Sequence, residues 1–117
     1  MAEPQSSCIF CKIVAGEIPA KIVYSDDRCL AFQDINPQAP VHLLVIPRKH
    51  FASTLEATEQ DENLIGHVHL IGAKLARDHQ ITAGYRAVAN TGTGAGQTVF
   101  HYHLHVLGGR PFTWPPG

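Results

Sequence analysis

The chain has 117 residues, of which 44% are hydrophobic and 16% charged, with a formal net charge of -1. That is the size of a single domain spanning 1–117, long enough to bury roughly two thirds of its unfolded surface and too short for two well-cored units. The near-neutral charge excludes a broad cationic field for nucleic acid, and the lack of any run of about 18 apolar residues excludes a membrane-spanning helix.

Residues 1–7 carry neither the basic start nor the apolar stretch of a secretory signal; they are expected to be disordered, and the expected compartment is the cytoplasm. Cys8 to Ala15 places Ile9, Phe10, Ile13 and Val14 at helical spacing before Gly16 and Pro19, which predicts a short helix. Ile22 to Tyr24 and Cys29 to Phe32 are β-prone runs separated by Ser25, Asp26 and Asp27, predicting a hairpin. The prolines of Asp34 to Pro40 predict a loop. Val41 to Ile46, apolar except for His42 and closed by Pro47, predicts a central strand covered on both faces. Arg48, Lys49 and His50 then read as a solvated basic turn.

Thr58 is a good N-cap, Glu59 and Asp61 suit a first helical turn, and Leu64, Val68, Ile71 and Leu75 share one face of a helix running to about His79. His67, His69 and His79 on that helix read as solvated or capping residues. Tyr85 to Ala89 predicts a strand, and Asn90 to Gln97, with Gly92, Gly94 and Gly96, a glycine-rich loop. From Thr98 the chain enters its most distinctive segment, where His101, His103 and His105 alternate with Tyr102, Leu104 and Val106. In a strand this spacing puts three imidazoles on one face, an arrangement suited to proton-coupled chemistry or metal binding. The tail, 108–117, is too proline-rich for helix or central strand, yet Phe112 and Trp114 need cover from their own domain or a second subunit.

Two constellations follow from the residues alone. The backbone N–H groups of Gly96, Gln97 and Thr98, with the Thr98 hydroxyl, would stand at the start of the histidine strand, where an oxyanion needs donors. Cys8 and Cys11 form a C-x-x-C pair that, with His50 and His101, offers a zinc ligand set; the competing reading is two small buried thiols.

The run His101-x-His103-x-His105 followed by two apolar residues resembles the signature of the histidine triad (HIT) superfamily. The likeness extends to Cys8–Ile13 with Gly16–Ala20, Phe32–Pro40, His42–Pro47, Gly96–Phe100, Leu107–Arg110 and Trp114–Gly117, which are similar to the Hint branch. The resemblance implies a HIT fold: an α+β protomer with a five-stranded antiparallel sheet and one long and one short helix, dimerising into a ten-stranded sheet. It implies purine nucleotide binding and hydrolysis of nucleoside 5'-phosphoramidates, with no cofactor required for catalysis. By the same resemblance His103 is the nucleophile, and His105, Thr98, Gly96, Gln97 and Asn90 contact phosphate. His101 and His42 orient the nucleophile through a relay, and Asp34 holds the ribose. Ile9, Phe10, Ile13, Phe32, Ile35 and Leu44 form the base pocket.

An imidazole can attack phosphorus directly when its other nitrogen donates to an acceptor, so one hard displacement becomes two easier ones. Thr98 stands where many Hint proteins carry serine, and the Cys8–Cys11 pair occurs in only part of the superfamily. His105, in place of glutamine, argues against the uridylyltransferase branch. The expectation is a dimeric purine nucleoside phosphoramidase whose partners are a purine nucleoside monophosphate or phosphoramidate and a second copy of itself, without nucleic acid or membrane. The alternative is a zinc-stabilised nucleotide-binding or protein-interaction module with incidental hydrolysis. A further expectation is that the Trp114 tail reaches the active site of the partner subunit.

Overall fold

In a computed structural model describing residues 7–117, the elements are α1 (Ile9–Val14), β1 (Ile22–Ser25), β2 (Cys29–Gln33), β3 (Val41–Pro47), α2 (Glu62–Asp78), β4 (Tyr85–Val88) and β5 (Leu104–Gly108). Single 3-10 turns cover Glu59–Asp61 and Thr93–Ala95. Of the stretch expected to be disordered, residues 1–6 lie outside those described, and Ser7 is an exposed turn residue.

The strands form one antiparallel sheet in the order β1-β2-β3-β5-β4. β3 takes the centre because both of its faces are apolar, and every residue after Val41 is buried. On one face Leu43 and Val45 join Cys29 and Ala31 of β2 and Leu104 and Val106 of β5 beneath Val68, Ile71, Leu75 and Ala76 of α2. On the other face Leu44 and Ile46 join Leu30 and Phe32 beneath Phe10 and Ile13 of α1. Gly72 lets α2 approach the sheet closely, since a Cβ there would lie 3.2 Å from Val106 and 3.3 Å from Leu104.

The long helix begins one turn later than its N-cap suggests. Thr58 caps the 3-10 turn, its own N–H donating to Asp61 at 2.9 Å while its hydroxyl accepts from Gln60, and Glu62 then opens the α-helix. His79 caps the far end, with Nδ1 2.9 Å from the Leu75 carbonyl.

His67, by contrast, is not simply solvated, because its Nε2 lies 2.7 Å from Asp26 and ties α2 to the β1–β2 turn. Asp26 also accepts from Tyr24 and from the Arg28 and Cys29 N–H groups. Burial alone raises this carboxyl, but the hydrogen bonds from His67, from those N–H groups and from Tyr24 outweigh it and hold the carboxylate well below the usual range. Nor is the basic turn free: Arg48 donates to the Asp26 carbonyl and the Ser25 hydroxyl, Lys49 pairs with Asp61, and His50 is buried.

The histidine run departs most from expectation. β5 starts at Leu104, so His101 and His103 precede the strand and only His105 lies within it. The ladder between β3 and β5 ends at the pair Val45 and Leu104, and the next positions on β3 lead to Pro47, which has no N–H to give. The incoming chain bonds elsewhere: the His101 ring reaches the Pro47 carbonyl at 2.8 Å and the Tyr102 N–H donates to Phe51 at 2.7 Å.

Candidate active site

Between α1, β2, β3 and the glycine-rich loop lies a cavity of about 440 Å³. Ile9, Phe10, Ile13, Phe32, Ile35 and Leu44 supply its apolar wall, and Asp34, Asn90, Gly96, Thr98, His103 and His105 its polar side. Twelve of the expected nucleotide contacts therefore converge here, out of residues spread from Ile9 to His105. Ile18, Pro19, Ala20, Gln33 and Val99 also line it; the α1–β1 connection contributes to the wall only because the chain folds back over Phe32, which no local pattern announces.

Gln97 is the exception. Its side chain points behind the loop, accepting from the Gly92 N–H at 2.8 Å and donating to the Ala52 and Val99 carbonyls. The Gly96 and Gln97 N–H groups, expected to face phosphate, are spent within the loop on Thr93 and Gly92. The tight turn that needs Gly96 at φ +92° consumes those donors, leaving exposed Thr98 at the cavity wall.

The hydrogen bonds assign the imidazole tautomers. His103 Nδ1 lies 2.8 Å from the His101 carbonyl and must donate to it, so Nε2 keeps an unprotonated lone pair. Burial pushes His103 below its ordinary pKa, against the raising effects of that hydrogen bond and of Asp34, so the ring is neutral at neutral pH. Phe10 packs edge-on against it, ring centres 5.1 Å apart.

The second chain of bonds starts at Gln38, whose N–H donates to His42 Nδ1 at 3.0 Å. His42 therefore carries its proton on Nε2, 2.9 Å from His105 Nδ1 and 3.4 Å from Asp34. His105 in turn carries its proton on Nε2, a donor beside His103, whose ring centre is 5.0 Å away. Burial is the largest cause lowering the His105 pKa to about 4, with the nearby His103 and His42 adding to it. The two residues expected in the relay thus meet different rings: His42 bonds His105, and His101 bonds His103 through its main-chain carbonyl.

The His101 ring is fully buried and turns away from the cavity. With Nε2–H committed to Pro47, its Nδ1 faces the Cys8 and Cys11 sulfurs, both at 3.6 Å, and His50 Nδ1 at 3.1 Å; His50 Nδ1 is 3.3 Å from Cys11. Donors at the corners of a tetrahedron, bonded at ~2.0 Å through nitrogen and ~2.3 Å through sulfur, stand roughly 3.3–3.8 Å apart. Three of the separations fall in that range and the two imidazole nitrogens at 3.1 Å just below it, all four ligand atoms lying within 4.8 Å of one another. The two thiols and two imidazoles therefore have the chemistry and approximate spacing of such a site, and the Pro47 carbonyl behind His101 is the kind of acceptor that orients a ligating histidine. Burial is also the main cause lowering the His101 pKa to about 4, which keeps the ring in the form a metal needs.

In the tail, Phe112 is held between Arg86 and Arg110, whose guanidinium carbons lie 5.0 and 4.3 Å from the ring centre, whereas Trp114 is 84% exposed. Among the described residues no helix is long and apolar enough to cross a membrane.

A family model for the HIT domain matches residues 15–112. A HIT-like protein of Synechococcus elongatus is 56% identical over 109 residues, covering 93% of this chain and 96% of that protein. The crystal structure of a HIT family hydrolase from Legionella pneumophila superposes with a TM-score of 0.93 at 50% identity, covering 95% of this chain and all of that one. A histidine triad nucleotide-binding protein from Candida albicans gives 0.81 at 30% identity, covering 93% and 83% of the two chains. With its five-stranded antiparallel sheet, one long helix and clustered histidines, the chain belongs to the HIT domain family.

Proposed function

We propose that this chain is a purine nucleotide-binding hydrolase that cleaves the P–N bond of nucleoside 5'-phosphoramidates through a nucleotidyl-His103 intermediate. The observation that carries the reading is the tautomer of His103, whose Nδ1–H is fixed on a carbonyl and whose Nε2 lone pair belongs to a ring in the cavity wall beside Thr98 and His105. The apolar wall suits a base and Asp34 suits ribose hydroxyls. Attack by Nε2 forms the P–N bond to His103 as the bond to the amine breaks. The phosphoramidate nitrogen takes a proton from solvent and departs as the neutral amine, with the His105 Nε2–H hydrogen-bonding the reacting group. Water then cleaves the nucleotidyl-histidine, releasing the nucleoside monophosphate, restoring neutral His103 and returning a proton to solvent, while Thr98 and His105 offset charge on the phosphoryl oxygens. The naming of similar proteins as hydrolases and as a nucleotide-binding protein supports this reading. Turnover of adenosine 5'-monophosphoramidate by wild type and His103→Ala tests it: an inactive wild type, or a variant retaining most of the rate, would overturn it.

A structural zinc ion on Cys8, Cys11, His50 and His101 is proposed from their donor separations. It would neutralise thiolate charge and cross-link α1 to the turn after β3 and the segment before β5, without touching the reacting atoms. Cys8, Cys11 and Cys29 are not joined in disulfides, which suits the reducing cytoplasm. Metal analysis of untagged protein should give about one equivalent; less than a quarter would end the proposal. This zinc is also what the alternative of a nucleotide-binding or protein-interaction module would use, and fast turnover together with bound zinc favours the enzyme. The exposed Trp114 and the free edge of β4 favour a homodimer whose tails cover the partner subunit's active site. Truncation after Arg110 should change leaving-group preference.

A further inference from the structure

We infer that His101 is a positioning residue that makes the nucleophile depend on the Cys8–Cys11–His50 centre. The inference rests on the zinc reading above and goes beyond it by giving that centre a role in setting the reactive tautomer of His103.

His101 is attached at three atoms, each to a different part of the molecule. Its Nδ1 faces the two sulfurs and His50. Its Nε2–H donates to Pro47 at the end of β3. Its main-chain carbonyl accepts the Nδ1–H of His103 at 2.8 Å. The first two attachments hold the ring, and the third is the acceptor that decides which nitrogen of the nucleophile is free.

In a continuous strand the sheet ladder would aim that carbonyl, but the ladder stops at Leu104 and residues 98–103 lie outside it. The nearest main-chain anchor is the bond from the Tyr102 N–H to Phe51, so the His101 ring supplies the remaining constraint. A ring held at both nitrogens fixes its own Cα and hence the direction of its carbonyl. A ring held at Pro47 alone can swing about that bond. His103 would then exchange protons between its two nitrogens, and part of the population would present N–H instead of a lone pair to phosphorus. Cys11 sits on α1 beside Phe10, so the centre also braces the side of the cavity against which His103 packs.

The test compares zinc-loaded protein, chelator-stripped protein and protein reloaded with cadmium, a larger ion of the same charge. Metal content is measured first, and circular dichroism follows folding. Nitrogen-15 spectra of the His103 ring report its tautomer, and single-turnover experiments report the rate of forming nucleotidyl-His103. In the loaded protein His103 should show one tautomer, protonated at Nδ1. Stripping should produce a mixture and slow intermediate formation by about tenfold or more, both restored by zinc. If stripping unfolds the protein, the cadmium form carries the test: its His103 Nδ1 resonance should move and its intermediate should form at an altered rate. Protein that carries no zinc as purified yet forms the intermediate overturns both the metal reading and the coupling. Protein that carries zinc but keeps an unchanged His103 spectrum and rate in the stripped and cadmium forms leaves the metal reading standing and overturns the coupling alone.

Discussion

The two faces of the sheet are built from the same strands and behave differently. Beneath α2 the apolar residues of β2, β3 and β5 meet a four-turn helix and seal completely, with Val45, Val68 and Val106 wholly buried. On the opposite face α1 has only six residues; Leu30, Phe32, Leu44 and Ile46 are buried there too, but the cavity opens beside them along Phe10, Phe32 and Leu44. Strand alternation divides the labour residue by residue, since Leu104 and Val106 face α2 while His105 between them pairs with Leu44 over the cavity. A short cover over a rigid sheet thus gives chemistry a place without weakening the core that positions it.

If this division holds, substitutions on the two faces should separate activity from stability. His103→Ala should lower single-turnover hydrolysis by about 10³-fold or more, with a thermal midpoint within a few degrees of wild type. Leu43→Ala on the α2 side should do the reverse, costing about 3–4 kcal/mol in urea unfolding while KM stays nearly constant. A large rise in KM there would show that the faces are not independent.

Acid offers a third separation. His105 titrates near 6.5 when unfolded and near 4 when folded, so between those values the unfolded chain binds a proton that the folded chain refuses. Its contribution is fully present above about pH 6.5 and lost as pH falls toward 4, on the order of 3 kcal/mol in all. The difference between urea midpoints at the two ends of that range should shrink in His105→Gln, the remainder coming from His101, His103 and His42, which burial also lowers, and an unchanged pH slope would count against the assignment. The smallest effect is expected from Leu44→Val at the cavity wall: one methylene, about 1 kcal/mol, read as a roughly fivefold rise in KM with kcat nearly kept.

The elements that could be read directly from the sequence are those governed by local period. The β3 run and the Leu64, Val68, Ile71, Leu75 stripe each form where their spacing indicates. The histidine run is different, because the start of β5 is set by the approach of Pro47, 54 residues away from the His101 ring that bonds it. The same distance in sequence hid the split role of His101, the pairing of His42 with His105, and the bond from His67 to Asp26. The cluster of Cys8, Cys11, His50 and His101 was visible as residue types, whereas its convergence depends on α1, the turn after β3 and the segment before β5 meeting at one point.

Gln97 shows what the glycine-rich loop contributes. Its amide bonds Gly92 on one side and Ala52 and Val99 on the other, so the loop is laced into shape by its own chain rather than by a ligand. The entropy of ordering a flexible glycine segment is thereby charged to folding and not to each encounter with a ligand. A ligand arriving at Thr98 meets a wall already set, and its association rate should be governed by diffusion into the cavity rather than by closure of the loop.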